Sequence, residues 1–413
     1  MAKADPMPDS HKVTYLPDEW HYPDVLDDDL KDSGLAPPEA AEVISTSWEY
    51  CRCSIPVFTN WDRFLAFVRL TVIYTVAEYR GDLTDDVLEG RPLLGYDADG
   101  LLRTLFEDTP VLEEMSREFW TFMIIASEKT RGDRRGSLLF RRLVEATAHS
   151  PADFLRLRDA DAQVRLYLAA TLACNDVTDP DAYCGEEQNR ALNELTISRY
   201  DTVGYFKHRA EAELFDPYFY TGPEIRQEYY HKLRQALWAL DTNWGRTANG
   251  RYMLAYMRIM GGPIHLEMRR YRFVQDGLVL GRTETDSVVE ETRRNFKLWY
   301  RIDAPDAGQP QPADVERYEA IMAQEERLLF PGLAAMLNRP DEEKCPRCVR
   351  RHAYGAQSIG EVAGVQLCDD CRAVWRAYFL DVPRRVAAAL PLAGAKPDRP
   401  TTAAARESAP TPG

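Results

Sequence analysis

The stretch DRFLAFVRLTVIYTVAEYR, residues 62–80, decides the fold class. Read as a helix, it carries apolar side chains on nearly every face, which places it in the middle of a large core rather than at a surface. Its end is different. At about 100° per residue, Glu78, Asp82 and, if the helix continues, Asp85 fall within about 60° of one another, on the stripe that carries Phe67, Thr71 and Tyr74. Acids below a lining of rings and small residues are what a divalent-metal and diphosphate site needs: hard oxygens hold Mg²⁺, and the apolar wall above excludes water. A solvated helix terminus is the plain alternative, since RGDLTDD is turn-like.

From this helix outward, the pattern from about residue 41 to 338 stays helical, with apolar residues three and four apart and turn clusters such as LEGRPLLGYDADG, NDVTDPDAYCG and DAPDAGQPQPAD between segments. No alternating strand set appears. The expected fold is therefore all-α, a multi-helix bundle enclosing an apolar cavity, with a small C-terminal four-cysteine zinc-knuckle unit. Residues 1–40, rich in Pro and Asp, read as an extended arm; residues 41–338 as the helical catalytic domain; residues 341–384 as a zinc-binding unit; residues 385–413 as a disordered tail.

The chain has 413 residues, 45% of them hydrophobic, enough for one large core or two smaller ones. No run of eighteen apolar residues free of charges exists, and MAKADPMPDSHK has neither a basic nor an apolar leader segment, so the expectation is a cytoplasmic protein with no membrane span. A net charge of −15 with no broad basic patch argues against nucleic acid as a partner. Oligomeric state is left open, a homodimer included.

Eight cysteines fall into two groups. Cys51, Cys53, Cys174 and Cys184 are scattered through the body and read as small core residues. Cys345 and Cys348, then Cys368 and Cys371, form two CxxC knuckles at the spacing of a four-thiolate zinc site. Four thiolates close the coordination shell and leave no position for water, so such a zinc is structural and braces the helix around Trp375 and Tyr378. A partner-binding knuckle is the alternative.

Two further helices carry charge. In YDTVGYFKHRAEAE, residues 200–213, Asp201, Gly204, Tyr205 and His208 share one stripe with Glu211 at its margin, opposite a stripe of Val203, Phe206, Ala210 and Leu214 expected to face the core. An amphipathic surface helix is the plain reading; the tyrosine, glycine and imidazole in the polar stripe favour a site. In GGPIHLEMRRYRFV, residues 261–274, His265, Arg269 and Arg272 share a face, and Arg293, Lys297 and Tyr300 do so further on. Arginine suits phosphate because its planar fork donates paired hydrogen bonds and stays charged. Asn175 and Asp176 end another apolar helix, either at the same cavity mouth or as a helix cap.

The strings WEYCRCSIPVFTNWDRFLAFVR (48–69), EYRGD (78–82), YDTVGYFKHRAEAE, GGPIHLEMRRYRFV and TRRNFKLWYRID (292–303), ending in CPRC and CDDC, resemble the unusual sesquiterpene synthases typified by the fungal α-ionylideneethane synthase of abscisic acid biosynthesis, with bacterial relatives. The resemblance runs from about residue 18 to 385 and implies an enzyme that acts on farnesyl diphosphate with Mg²⁺, without the aspartate-rich and asparagine-serine-glutamate signatures of ordinary class I terpene synthases. No DDxxD occurs here; DLTDD is the nearest acidic cluster.

The site residues follow from the helical projections. Glu78 and Asp82 on one side, and Asp201 with Glu211 on the other, would hold Mg²⁺; Arg269, Arg272 and Lys297 would clamp the diphosphate. Phe67 and Tyr74 would line the prenyl chain, with Tyr205 against the cation and His208 as base; the departed diphosphate is the other candidate acceptor, and a hydrogen-bonded structural histidine is the plain alternative for His208. The two acidic stripes are expected to look at each other across one pocket. An all-helical metal-dependent phosphohydrolase is one rival, although the seven histidines include no HD pair; a non-enzymatic zinc-knuckle scaffold is the other.

Overall fold

The computed structural model describes residues 22–80, 83–130, 137–210, 215–267, 311–350 and 364–390. Chain order begins with α1 (Pro37–Ser54), α2 (Trp61–Arg80), α3 (Thr84–Glu89), α4 (Ala98–Phe106), α5 (Leu112–Thr130) and α6 (Leu138–Thr147). It continues with α7 (Pro151–Ala162), α8 (Val164–Ala173), α9 (Glu186–Ala210), α10 (Tyr218–Thr221), α11 (Arg226–Trp244), α12 (Ala248–Met260) and α13 (Ile264–Glu267). From residue 311 onward come α14 (Pro312–Met322), α15 (Glu325–Leu328), α16 (Leu333–Leu337), the two-residue strands β1 (Val349–Arg350) and β2 (Val365–Gln366), α17 (Asp369–Leu380) and α18 (Val382–Ala389). The protein is all-α; β1 and β2 pair antiparallel, Val349 opposite Gln366 and Arg350 opposite Val365.

Helix α2 is the central rod that its apolar surface predicts. From Phe64 to Ala77 every residue is buried except Arg69, whose guanidinium reaches Asp29 at 2.9 and 3.2 Å. Tyr96 donates to the same carboxylate at 2.9 Å, so residues just before α1 are strapped to the body by a charged pair and a phenol. Phe64, Phe67, Leu70 and Ile73 are each fully buried, and burial of side chains of this size is worth roughly 1.5–3 kcal/mol apiece.

Helix α2 packs chiefly on α1, α4 and α5, and α9 packs chiefly on α7, α8, α11 and α12. Helices α7 and α8 are separated by Gln163 alone, which adopts φ +55° and ties the junction together. Its side chain donates to the carbonyls of Glu118 and Ala160 at 2.8 Å each and accepts from Tyr74 Oη at 2.6 Å. Helix α2 does not continue through Asp85: that residue is exposed in α3, which starts afresh at Thr84.

Helix α18 runs to Ala389, past residue 385 where the sequence places the start of the tail. Arg385 is held there by both carboxylate oxygens of Glu194 at 2.5 Å, and Val386 is buried. Among the described residues no helix is long and apolar enough to cross a membrane.

Candidate functional site at the charged end of the bundle

Helix α9 overturns the surface reading of YDTVGYFKHRAEAE. Residues 191–202 are buried throughout, and in the quoted stretch the polar stripe is the inner one: Asp201, Gly204, Tyr205 and His208 are buried, while Val203, assigned to the core by projection, is only half-buried. The physical reason is charge pairing. A buried carboxylate is tolerable when it is matched and hydrogen-bonded, and Asp201 is gripped from α7 by Arg158, Nη2 to Oδ1 at 2.6 Å and Nε to Oδ2 at 3.2 Å.

That pair belongs to a chain of charges. Arg158 also bonds Asp161, whose Oδ1 lies 2.5 Å from Lys129 Nζ in the last turn of α5. His208 Nδ1 is 2.9 Å from Asp216 Oδ2 and 3.8 Å from Asp201 Oδ1. The Lys129 ammonium sits 5.6 Å above the Phe215 ring. Three carboxylates, a guanidinium, an ammonium and an imidazole thus meet where α5, α7 and α9 converge. The other face of α7 feeds a second network, Asp159 with Arg165 and Glu118 with Arg156, so Asp159 and Asp161 point apart. Burial there pushes the Glu118 carboxyl up, against the pull of Arg156 and Arg165.

Two imidazoles close over Gly204. A Cβ at this position would lie 3.1 Å from His208 Nε2 and 3.5 Å from His265 Cε1, so the bare backbone admits both rings. His265, buried at the start of α13, stacks on Tyr200 with centroids 4.6 Å apart. Gly261, just before α13, makes room in the same way: a side chain there would collide with the guanidinium of Arg199. Burial pulls Arg199 down to about 10, and its Nη1 donates to the Met257 carbonyl at 2.9 Å.

The predicted lining residues fall into two ring groups. Phe67 meets Tyr167 edge-on at 4.9 Å, and Tyr74 meets Phe122 at 4.7 Å and Phe119 at 5.2 Å. Tyr205 lies with Tyr218 at 5.7 Å, under the guanidinium of Arg226 at 5.3 Å. Glu78, half-buried, lies in the last turn of α2; Thr84 of α3 bonds Ser127, two residues before Lys129 on α5. The last turns of α5 therefore link α3, through Thr84 and Ser127, to the Asp201 cluster, through Lys129 and Asp161. Asp82, Glu211, Arg269, Arg272 and Lys297 lie outside the described residues.

Asn175 and Asp176 are turn residues, not members of this end. Asn175 Nδ2 donates to the carbonyls of Val57 and Thr171 at 2.9 Å each, and Asp176 accepts from Asn60 at 2.8 Å, beside the first turn of α2. Helical projection missed Lys129, Arg158, Asp161 and Asp216. Arg158 and Asp161 carried a faint signal, opposite charges at i,i+3 in PADFLRLRDADA; Asp216 sits beyond the end of α9 and gave none.

At the other pole of the sequence, the Sγ atoms of Cys345, Cys348, Cys368 and Cys371 all lie within 4.8 Å of one another. A tetrahedron with Zn–S bonds of about 2.3 Å has edges of about 3.8 Å, and Cys345 and Cys368 are 3.9 Å apart. The four thiols could hold a metal ion such as zinc. The backbone N–H of Arg347 and the neighbouring thiols pull Cys345 down to about 6, whereas burial and those thiols push Cys371 up. The Cys368 N–H points at Cys348 Sγ at 3.3 Å, the amide-to-sulfur contact that stabilises thiolate.

An all-α body with a buried charged end and a four-thiol knuckle defines the class; comparison with known proteins defines the family. The chain belongs to the alpha-ionylideneethane synthase family, whose model, described as "Alpha-ionylideneethane synthase aba3", matches residues 18–392. It is 42% identical over 362 residues to the alpha-ionylideneethane synthase aba3 of Botryotinia fuckeliana (strain B05.10), covering 88% of this chain and 81% of that one. It is 40% identical over 383 residues to the alpha-ionylideneethane synthase abl3 of Leptosphaeria maculans, covering 92% and 88%. With the abl3 synthase of Pyricularia oryzae the identity is 38%, over 91% of this chain and 83% of the relative.

Proposed function

We propose that the protein is a sesquiterpene synthase that ionises farnesyl diphosphate with Mg²⁺ and converts the allylic cation to a hydrocarbon or terpene alcohol. The observation that carries this reading is the match of residues 18–392 to a family of synthases, into which the charged end of the bundle fits as the site. Glu78, Asp82, Asp201 and Glu211 are the proposed Mg²⁺ ligands, and Arg269, Arg272 and Lys297 the diphosphate clamp.

The donor chemistry supports a metal that arrives with its substrate. Among the described residues, only the cysteines form a group of three or more side chains arranged to hold an ion alone. Asp161, Asp201 and Asp216 already face Lys129, Arg158 and His208. Mg²⁺ is commonly bound through one or two carboxylates plus substrate phosphates, which suits an end whose carboxylates already have protein partners. When bound, Mg²⁺ would neutralise the charge that grows on the departing oxygen. Arg158 would keep Asp201 fixed through its two-point fork. Phe67 and Tyr74 would offer ring faces to the cation at roughly 0.5–2 kcal/mol each, with Tyr205 in the second ring group.

His208 is the proposed base. Donation of Nδ1–H to Asp216 would leave the Nε2 lone pair as the proton acceptor. It takes a proton from the carbon beside the cationic centre, the C–H electron pair becomes the new C=C bond, and the positive charge passes to an imidazolium held by Asp216 and Asp201. Purified protein with farnesyl diphosphate and Mg²⁺ should release diphosphate and a volatile terpene seen by gas chromatography and mass spectrometry, and EDTA should stop both. Plain farnesol as sole product would favour a phosphohydrolase, and no product from any prenyl diphosphate would remove the enzyme reading.

A further inference from the structure

The segment from Phe215 to Thr221 is held from two sides. Toward the site, Asp216 bonds His208 through Oδ2 and accepts the Tyr218 N–H through Oδ1, both at 2.9 Å, and the Tyr218 hydroxyl bonds Thr202 on α9. Away from the site, the Tyr220 ring stacks on Trp375 with centroids 4.8 Å apart, and the Thr221 carbonyl accepts from Arg376 Nε at 2.6 Å. Trp375 and Arg376 belong to α17, whose N-cap is Cys368 and whose first turn holds Cys371. Phe154 lies 5.6 Å from Tyr220 and 5.8 Å from Trp375, one turn before the Arg158 that grips Asp201. Partners of both His208 and Asp201 are thus backed by the helix that the thiols anchor.

Helix α17 packs on the body through Trp375 and Phe379, but its first turn is exposed at Asp369 and Asp370 and is tied down through Cys368 and Cys371. Two-residue strands are below the size that is stable alone, and where four thiolates hold an ion, its binding energy becomes folding energy. We infer that the four-cysteine unit is a metal-dependent positioning device for the buried site: with the ion held, Trp375 and Arg376 fix Tyr220 and Thr221, and so keep Asp216 on His208. Without the ion the segment loosens and the imidazole loses its orienting partner. Trp375 and Arg376 are positioning residues. The consequence for turnover rests on the proposed function, whereas the coupling between thiols and segment does not.

The test is hydrogen exchange by mass spectrometry on the full chain, with zinc content measured by plasma mass spectrometry, for the native protein, Cys371→Ser, Trp375→Ala and Trp375→Phe. The native protein should carry one zinc, and Cys371→Ser should lose it. In Cys371→Ser and Trp375→Ala, amides in 215–221 and around His208 should exchange about tenfold faster, with Trp375→Phe close to native. On farnesyl diphosphate, kcat should fall about tenfold in the same two variants with KM little changed. A zinc-free Cys371→Ser whose faster exchange stops at residues 341–380 would overturn the inference. So would a uniform rise across the chain in Trp375→Ala, which keeps all four thiols. If the native protein turns over no prenyl diphosphate while the exchange pattern appears, the proposed function fails and the coupling stands.

Discussion

Arg158 is the single side chain on which the buried end depends most. It is 5% exposed, closes a two-point fork on Asp201 and holds Asp161 as well. Arg158→Met takes that fork from Asp201, whose distance to His208 Nδ1 is 3.8 Å, while Asp161 keeps Lys129 at 2.5 Å. Breaking a buried pair from one side costs about 3–5 kcal/mol, because the remaining charge stays desolvated. At roughly 2–3 °C per kcal/mol for a body of this size, the melting temperature should fall by about 6–15 °C. Asp201→Asn is milder, about 1–3 kcal/mol, since Arg158 retains Asp161 and the amide oxygen still accepts a bond. The double variant removes both charges, and its cost should be about 2–3 kcal/mol below the sum of the two single costs. Urea and thermal unfolding of the four proteins followed by circular dichroism measure this cycle. Additivity within about 0.5 kcal/mol would refute the claim that the two side chains form one electrostatic unit.

Three further outcomes can be checked. Gly204→Ala gains up to about 1 kcal/mol of helix propensity but sets a methyl 3.1 Å from His208 Nε2; turnover should fall at least about tenfold while the melting temperature changes little. Arg385→Ala strands the buried Glu194, whose carboxyl is already pushed up by burial against the pull of Arg385. A loss of about 3–5 kcal/mol is expected at neutral pH. Because the folded pKa lies above the unfolded one, the folded state binds the extra proton, so some of the loss should return as pH falls through that raised pKa; stability curves at several pH values read the sign. Tyr74→Phe removes the donor to Gln163 Oε1 at the α7–α8 junction. It should cost about 1–2 kcal/mol in urea unfolding and, if Tyr74 steers the cation, shift the product ratio seen by gas chromatography more than the rate.

What the sequence made legible was what is local in it. The all-round apolar surface of DRFLAFVRLTVIYTVAEYR needs no partner to identify a buried rod, and the two CxxC knuckles carry their geometry in their spacing. Helix α9 misled projection because its polar stripe is inside. Asp201 is matched by a guanidinium 43 positions away, and a pairing of that range leaves no periodicity. Gln163 has no turn-former chemistry, yet it breaks α7 from α8, because its amide is satisfied by two carbonyls and a phenol that only the packed bundle supplies. Asp216 lies beyond the end of α9, where side-chain spacing predicts nothing. Among the residues chosen by projection, Asp201 and His208 meet in one cluster, while Glu78 lies half-buried in the last turn of α2.

The proposed chemistry stands or falls on where the diphosphate binds. A crystal structure of the protein with Mg²⁺ and a non-ionising thiolo analogue of farnesyl diphosphate measures this directly. The expected result is Mg²⁺ at about 2.0–2.1 Å from a carboxylate oxygen of Asp201, Glu78, Asp82 or Glu211, with the prenyl chain running toward Phe67 and Tyr74. A diphosphate bound away from all four carboxylates, with His208 remote from the chain, would contradict it.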